Sequence, residues 1–138
     1  MEINLLAVLA CGIVSMVIGF VWYGPLFGKK WAEVIGATDM DMEARKKMQK
    51  SAGPLYAVQF LLTLFQAYIL AGYLGGWKEV SALHQSLLIW AAFIMPVVAG
   101  SCMWNNDPKK VAWTKFLLQA GYQLVLFVVF GLILSYWK

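Results

Sequence analysis

Five uncharged polar side chains recur at helical spacing inside two otherwise apolar stretches of the sequence. These side chains are Gln59, Thr63, Gln66, Gln119 and Gln123. Intervals of three or four residues place the members of each stretch on one side of a helix. An amide or hydroxyl surrounded by hydrocarbon has no water to bond, so it needs a hydrogen-bond partner. The pattern predicts a polar intramembrane face that either joins two helices by hydrogen bonds or lines a narrow polar path.

The residues that usually perform catalysis or hold metals are missing from these stretches. His84 is the only histidine, and it lies outside the apolar centre of its stretch, close to Glu79. Cys11 and Cys102 lie in different stretches and form no CxxC pair. No phosphate-binding loop, nucleophile elbow or HExxH motif is present. We therefore expect no catalytic residue, no cofactor, no metal site and no enzymatic activity.

The apolar stretches themselves predict a membrane protein. Of 138 residues, 62% are hydrophobic and only 13% are charged, which is more apolar surface than a soluble domain of this length can bury. A hydrocarbon layer about 30 Å thick is crossed by roughly 20 apolar residues in a helix, and lipid leaves an open strand unpaired. We therefore predict an all-α, single-domain integral membrane bundle over residues 1–138, with four transmembrane helices at about 3–23, 54–76, 83–104 and 113–137.

Basic residues are distributed unevenly between the two sides of this bundle. With four spans, the first and third loops share one side, and the second loop shares the other with both termini. Nine basic residues belong to the first side: Lys29, Lys30, Arg45, Lys46, Lys47, Lys50, Lys109, Lys110 and Lys115. Only Lys78 and Lys138 belong to the other. Because Lys and Arg are retained in the cytoplasm, we expect a multi-pass protein of the cell inner (plasma) membrane with both termini outside the cytoplasm, and no nucleic-acid partner.

The first loop, residues 24–53, is predicted to contain helical structure of its own. Residues 29–36 place Trp31, Val34 and Ile35 on one helical side. Thr38 and Asp41 have capping-box spacing and predict a short amphipathic interfacial helix at about 40–51, with Met40, Ala44 and Met48 on one face. Its basic residues are Arg45, Lys46, Lys47 and Lys50. Such a helix can lie on the membrane with its cations facing anionic lipid, or it can be a plain connecting helix on the positive side.

Small residues mark where helices can approach one another. They recur every fourth position at Ala7, Cys11, Ser15 and Gly19 in the first span and at Gly72 and Gly76 in the second. Stripes of this kind let backbones come close in lipid. Pro96 lacks a backbone donor and predicts a kink within the third span. The stripes serve either packing within one chain or a homo-oligomer.

One turn of the sequence carries a family resemblance. Its matching positions are Trp22, Tyr23, Pro25, Gly28, Lys29 and Trp31, with weaker matches at Asn4 and at 121–123. These residues resemble the bacterial membrane protein family called domain of unknown function 1761, over nearly the whole chain. The resemblance implies about four spans and no catalytic residues. Proline and glycine suit an interfacial turn there, and tryptophan rings suit head-group depth.

Two functions fit the sequence. The first is binding or transport of a small neutral or apolar molecule through the glutamine-lined faces. The alternative is a structural or regulatory membrane protein acting through lipid contacts or a larger membrane complex. The glutamines separate the two hypotheses, because an open polar cavity favours binding and amides paired in a dry core favour the alternative.

Overall fold

The computed structural model describes residues 3–36, 41–76 and 79–137. Within these ranges the chain is helical and contains no strand, which confirms the predicted all-α class. The helices are α1 (Leu5–Val21), α2 (Gly28–Ile35), α3 (Met42–Gly76), α4 (Ala82–Ile89), α5 (Met95–Met103) and α6 (Lys109–Tyr136). Two π-helical turns interrupt them, the first at Trp22–Leu26 and the second at Trp90–Ile94.

Four segments of the described chain are long and apolar enough to cross a membrane, as predicted. Span one is Leu5–Leu26, span two Lys50–Leu74, span three Ala82–Met103 and span four Lys109–Tyr136. Each begins and ends within a few residues of the range expected from hydropathy. The chain is therefore a bundle of four transmembrane helices.

Both described ends of the chain meet at one end of the bundle. The side-chain oxygen of Asn4 accepts hydrogen bonds from the backbone amides of Leu6 and Ala7 and so caps α1. Its side-chain nitrogen donates to the carbonyl of Trp137 at 3.4 Å. We call this the terminal end, marked by Asn4 and Trp137. The opposite end, marked by Lys29 and Lys109, is the lysine-rich end.

The spans pack in the order two, one, four, three. Span one contacts spans two and four, and span four also contacts the whole of span three. Ala7 and Cys11 of span one lie in one buried cluster with Ala67 of span two and Phe127 and Phe130 of span four. Because the small side chains let the helices approach, this cluster is the core of the bundle.

The remaining predicted packing residues lie in different surroundings. Ser15 and Gly72 are buried, and Gly19 faces the Tyr122 side chain. Gly76 and Pro96 are exposed, so neither lies at a helix contact within the chain. Cys102 is also buried, and neither cysteine forms a disulfide.

Both interruptions of the spans occur beside a proline. Pro25 lies inside the first π-turn, and Pro96 lies at the start of α5, directly after the second. Proline cannot donate the i−4 hydrogen bond, and its ring clashes with that carbonyl, so the preceding turn widens. Each π-turn begins with a tryptophan whose indole bonds to α6. Trp22 Nε1 donates to the carbonyl of Leu118, and Trp90 Nε1 to that of Ala120, each at 3.0 Å.

The first loop differs from its prediction in one respect. Residues 29–35 are helical, as part of α2, which ends at Gly36 with a left-handed φ of 76°. The further helix expected at about 40–51 is wrong as a separate element, because α3 runs unbroken from Met42 into span two. Asp41 Oδ1 accepts the backbone amide hydrogen of Ala44 at 2.7 Å and so begins α3 itself. Thr38 lies outside the described residues, as does the side chain of Arg45; Lys46, Lys47 and Lys50 are exposed.

Candidate functional site

A groove opens between spans two and three. Span two meets span three at α4, near the terminal end, and touches span four only slightly. The space between them has a volume of about 670 Å³. Its walls from span two are Gln59, Leu62, Phe65, Gln66, Ile69, Leu70 and Tyr73; span three adds Ile89, Phe93 and Ile94, and span four adds Gln123 and Phe127. We call this space the lateral groove.

The lateral groove faces the hydrocarbon side of the bundle. Phe65 of span two and Phe93 of span three, on its opposite walls, are 65% and 69% exposed within the chain. Both lie inside membrane-crossing segments. Large apolar side chains that are exposed at membrane depth border lipid. The groove is therefore open on the side of the bundle that faces lipid.

The lateral groove contains a buried amide oxygen that has no hydrogen-bond partner among the described residues. Gln66 projects from span two and Gln123 from span four, and both also line a narrower recess beside Phe93 and Ile94. Gln123 Oε1 is buried and unpaired. An amide without a partner in hydrocarbon is unfavourable. The middle of the groove is thus polar and chemically unsatisfied.

The predicted polar face is divided by the structure. Gln59, Gln66 and Gln123 line the lateral groove. Thr63 is buried, and its hydroxyl donates to the carbonyl of Gln59 at 2.8 Å and accepts from Gln59 Nε2 at 3.2 Å. Gln119 Oε1 lies 3.7 Å from Cys102 Sγ, where α5 packs against α6. Thr63 and Gln119 therefore do not contribute to the groove.

The sequence offered one further signal for the lateral groove. Gln59, Gln66 and Tyr73 are seven residues apart and share one side of α3, because seven residues make almost two helical turns. Tyr73 was not among the predicted site residues. The apolar walls formed by Phe65 and Phe93 carry no distinguishing pattern, since apolar residues occupy most positions of every span.

The predicted interfacial turn folds against span four. The ring of Tyr23 lies 5.4 Å from that of Tyr122 and 5.0 Å from that of Trp31, centroid to centroid. A Cβ on Gly121 would lie 3.2 Å from Cζ2 of Trp22, so glycine there lets the indole approach α6. The turn also holds Pro25 in the first π-turn and Gly28 at the start of α2, while Lys29 is exposed. The two sequence blocks that carry the family resemblance are therefore in contact.

A family model described as a protein of unknown function, DUF1761, matches residues 6–135. The chain belongs to the DUF1761 family. The match covers nearly the whole chain and confirms the resemblance seen in the sequence. Comparison with curated proteins and with solved structures found no match.

Charges in this DUF1761 protein lie away from the lateral groove. None of the residues that line it is charged. Lys115, the basic residue furthest inside span four, pairs with Asp107 at 2.8 Å toward the lysine-rich end. Among the described residues, no three His, Cys, Asp or Glu side chains come together as a metal site. The groove can therefore offer hydrogen bonds and apolar contact, and its lining supplies no counter-charge.

Proposed function

We propose that this DUF1761 protein binds a small neutral or apolar molecule in the lateral groove, and that the molecule enters sideways from the bilayer. The observation that carries the proposal is the buried, unpartnered side-chain oxygen of Gln123, which lies with the Gln66 amide in one recess at membrane depth. An occupant with a hydroxyl or amide group would supply the missing hydrogen bond. Its apolar part would contact the walls on either side.

The lining of the groove favours an uncharged occupant. An ion that leaves water for this space would lose its hydration and find no opposite charge, which is strongly unfavourable. A volume of about 670 Å³ falls within the range of pockets that hold small molecules, roughly 300–1,000 Å³. Mostly apolar walls with a few polar groups are also the usual composition of such sites.

Photo-cross-linking tests this binding. The probe is a monoacylglycerol with a diazirine in its acyl chain, and the protein is reconstituted in liposomes. We expect labelled peptides to map to the groove walls at Phe65, Ile69 and Phe93, and excess unlabelled monoacylglycerol to suppress the labelling. Ile69→Trp fills the groove and should reduce the labelling of Phe93.

Ile13→Trp is the matched control. Ile13 and Ile69 are 52% and 53% exposed, and both lie in membrane-crossing segments, but Ile13 does not line the groove. Labelling should survive Ile13→Trp unchanged. Binding in the groove would be contradicted if the labels were spread evenly over the lipid-facing side of span one and were unaffected by Ile69→Trp.

A second candidate function is favoured by the start of α3. This helix continues for eight residues before span two begins at Lys50, and its described basic side chains, Lys46, Lys47 and Lys50, are exposed. Cations next to a membrane-spanning segment attract anionic head groups or an acidic partner. Each contributes about 1 kcal/mol of binding free energy near a charged surface. If Lys46→Gln with Lys47→Gln leaves the distribution of anionic lipid co-purifying with the protein unaltered, this second function fails.

A further inference from the structure

The polar groups of the lateral groove lie at three depths. Gln59, Gln66 and Tyr73 line it from span two, and seven-residue spacing separates neighbouring positions by about 10.5 Å along the helix. Gln123 of span four shares the narrow recess with Gln66, so the middle depth holds two amides. We call these the inner level (Gln59), the middle level (Gln66 and Gln123) and the outer level (Tyr73).

The three levels extend across most of the membrane. Span two begins at Lys50 and ends at Leu74, so Tyr73 lies at the edge of the hydrocarbon. The groove begins on span two at Gln59, and from Lys50 to Gln59 the helix rises about 13.5 Å. The hydrocarbon core of a bilayer is about 30 Å thick. A polar group that follows the groove therefore meets a hydrogen-bonding side chain at intervals shorter than half of that thickness.

From this arrangement we infer that the lateral groove conducts the head group of a lipid from one leaflet to the other while its acyl chains stay in the surrounding bilayer. The lipid is one whose head group is uncharged and bears hydroxyls. The inference depends on the proposed function, because the amides of the middle level are the same ones that would hold a bound molecule.

The chemistry of the three levels selects this class of lipid. Amide and phenol groups both donate and accept hydrogen bonds, and hydroxyls do the same, so each level can replace part of the hydration of a sugar or glyceryl head group. A phosphate would have to leave water without an opposite charge, because the groove lining carries none. The sideways opening leaves room for acyl chains to remain in lipid.

Transbilayer movement of two labelled lipids tests the inference. The full-length protein is reconstituted in liposomes that contain either glucosylceramide or phosphatidylglycerol, each with an NBD-labelled acyl chain. Dithionite then bleaches the probe that reaches the outer leaflet. We expect the protein to accelerate movement of the glucosyl lipid about tenfold over protein-free liposomes, a barrier change of about 1.4 kcal/mol. The anionic lipid should move at the protein-free rate.

Substitutions at the middle level should abolish the acceleration. Gln66→Leu with Gln123→Leu keeps side-chain volume but removes the hydrogen-bonding groups, so glucosyl lipid movement should return to the protein-free rate. Gln119→Leu is the matched control, because Gln119 lies in the same helix but outside the groove, and it should retain the wild-type rate. Ile69→Trp blocks the groove by volume and gives an independent test if the double variant does not fold.

Two results would overturn the inference. If the wild-type protein cross-links the monoacylglycerol probe in the groove but moves glucosylceramide no faster than empty liposomes, passage is excluded while the proposed binding function stands. If both lipids are accelerated equally, and neither the middle-level substitutions nor Ile69→Trp slow them, the movement does not follow the groove.

Discussion

The phenolic hydroxyl of Tyr122 donates a 3.0 Å hydrogen bond to the backbone carbonyl of Ser15. This bond joins the middle of span one to span four. It lies beside Gly19, where a Cβ would come within 2.9 Å of the same hydroxyl, and next to the ring of Tyr23. Spans one and four are thus held by a side-chain-to-backbone bond at a site that only a small residue permits.

Removal of the Tyr122 hydroxyl should lower the stability of the bundle but leave its fold intact. Tyr122→Phe leaves the ring contacts with Tyr23 in place and deletes one hydrogen bond. We expect a loss of about 1 kcal/mol in the free energy of unfolding, seen as a lower midpoint of thermal unfolding in detergent by circular dichroism. Tyr136→Phe is the control, since Tyr136 is 87% exposed, and its midpoint should not change. Equal midpoints for Tyr122→Phe and the wild type would show that this bond adds no stability.

Spans three and four pack closely at Gly131, and a second prediction follows from this contact. A Cβ there would lie 2.8 Å from Ser86 Oγ and 3.3 Å from the backbone Cα of Leu83. Since the backbone of α4 must move to admit it, Gly131→Ala should destabilise the protein by about 1–3 kcal/mol.

Gly100→Ala is the comparison for that substitution. Nothing lies within 4 Å of a Cβ at Gly100, and alanine favours a helix over glycine by roughly 0.5–1 kcal/mol. We expect its unfolding midpoint to stay the same or rise. If Gly131→Ala and Gly100→Ala changed the unfolding midpoint by the same amount and in the same direction, the close packing of span three on span four would be contradicted.

A substitution at Gln123 should weaken binding without lowering stability. This amide makes no hydrogen bond within the described residues, so Gln123→Leu removes an unsatisfied polar group and loses no partner. We expect an unchanged or higher midpoint of thermal unfolding, together with weaker cross-linking by the monoacylglycerol probe. A fall in stability of more than about 1 kcal/mol would show that the amide is structural.

The charge distribution predicts the orientation of the bundle in the membrane. Cys11 and Cys102 are buried, so the wild-type protein should give little background with an impermeant maleimide. We expect Tyr136→Cys to be labelled on intact cells, and Lys46→Cys to be labelled only after permeabilisation, because basic residues stay in the cytoplasm. Labelling of Lys46→Cys from outside would reverse the assignment.

Local features of the sequence predicted the elements well. Hydropathy located the four spans, and Pro96 indicated an interruption of span three, which the structure shows as the second π-turn at Trp90–Ile94. A helix at about 40–51 was expected to be separate from a second span that began at residue 54, but α3 continues through Pro54. A proline near the N-terminal part of a long helix costs one backbone hydrogen bond, and the continuous α3 tolerates that loss.

The candidate site was predicted only in part. Glutamine spacing indicated a polar face, but Gln119 and Gln123 have different surroundings although they lie one helical turn apart. Gln119 faces Cys102 of α5, whereas Gln123 faces the lateral groove. The difference arises from which neighbour covers each side of α6, and a single helical pattern contains no information about neighbours.

Hydropathy and charge along the chain were enough to predict four spans and the uneven placement of the lysines. These depend on position along one chain, because the thickness of the bilayer and the rise of a helix are constant. The packing of span two against span one, with a groove left beside span three, could be seen only in the folded bundle. That packing depends on close contacts such as Gly12 with Leu64 and Gly131 with Ser86. In lipid no hydrophobic force between helices selects a partner, so complementary shape does.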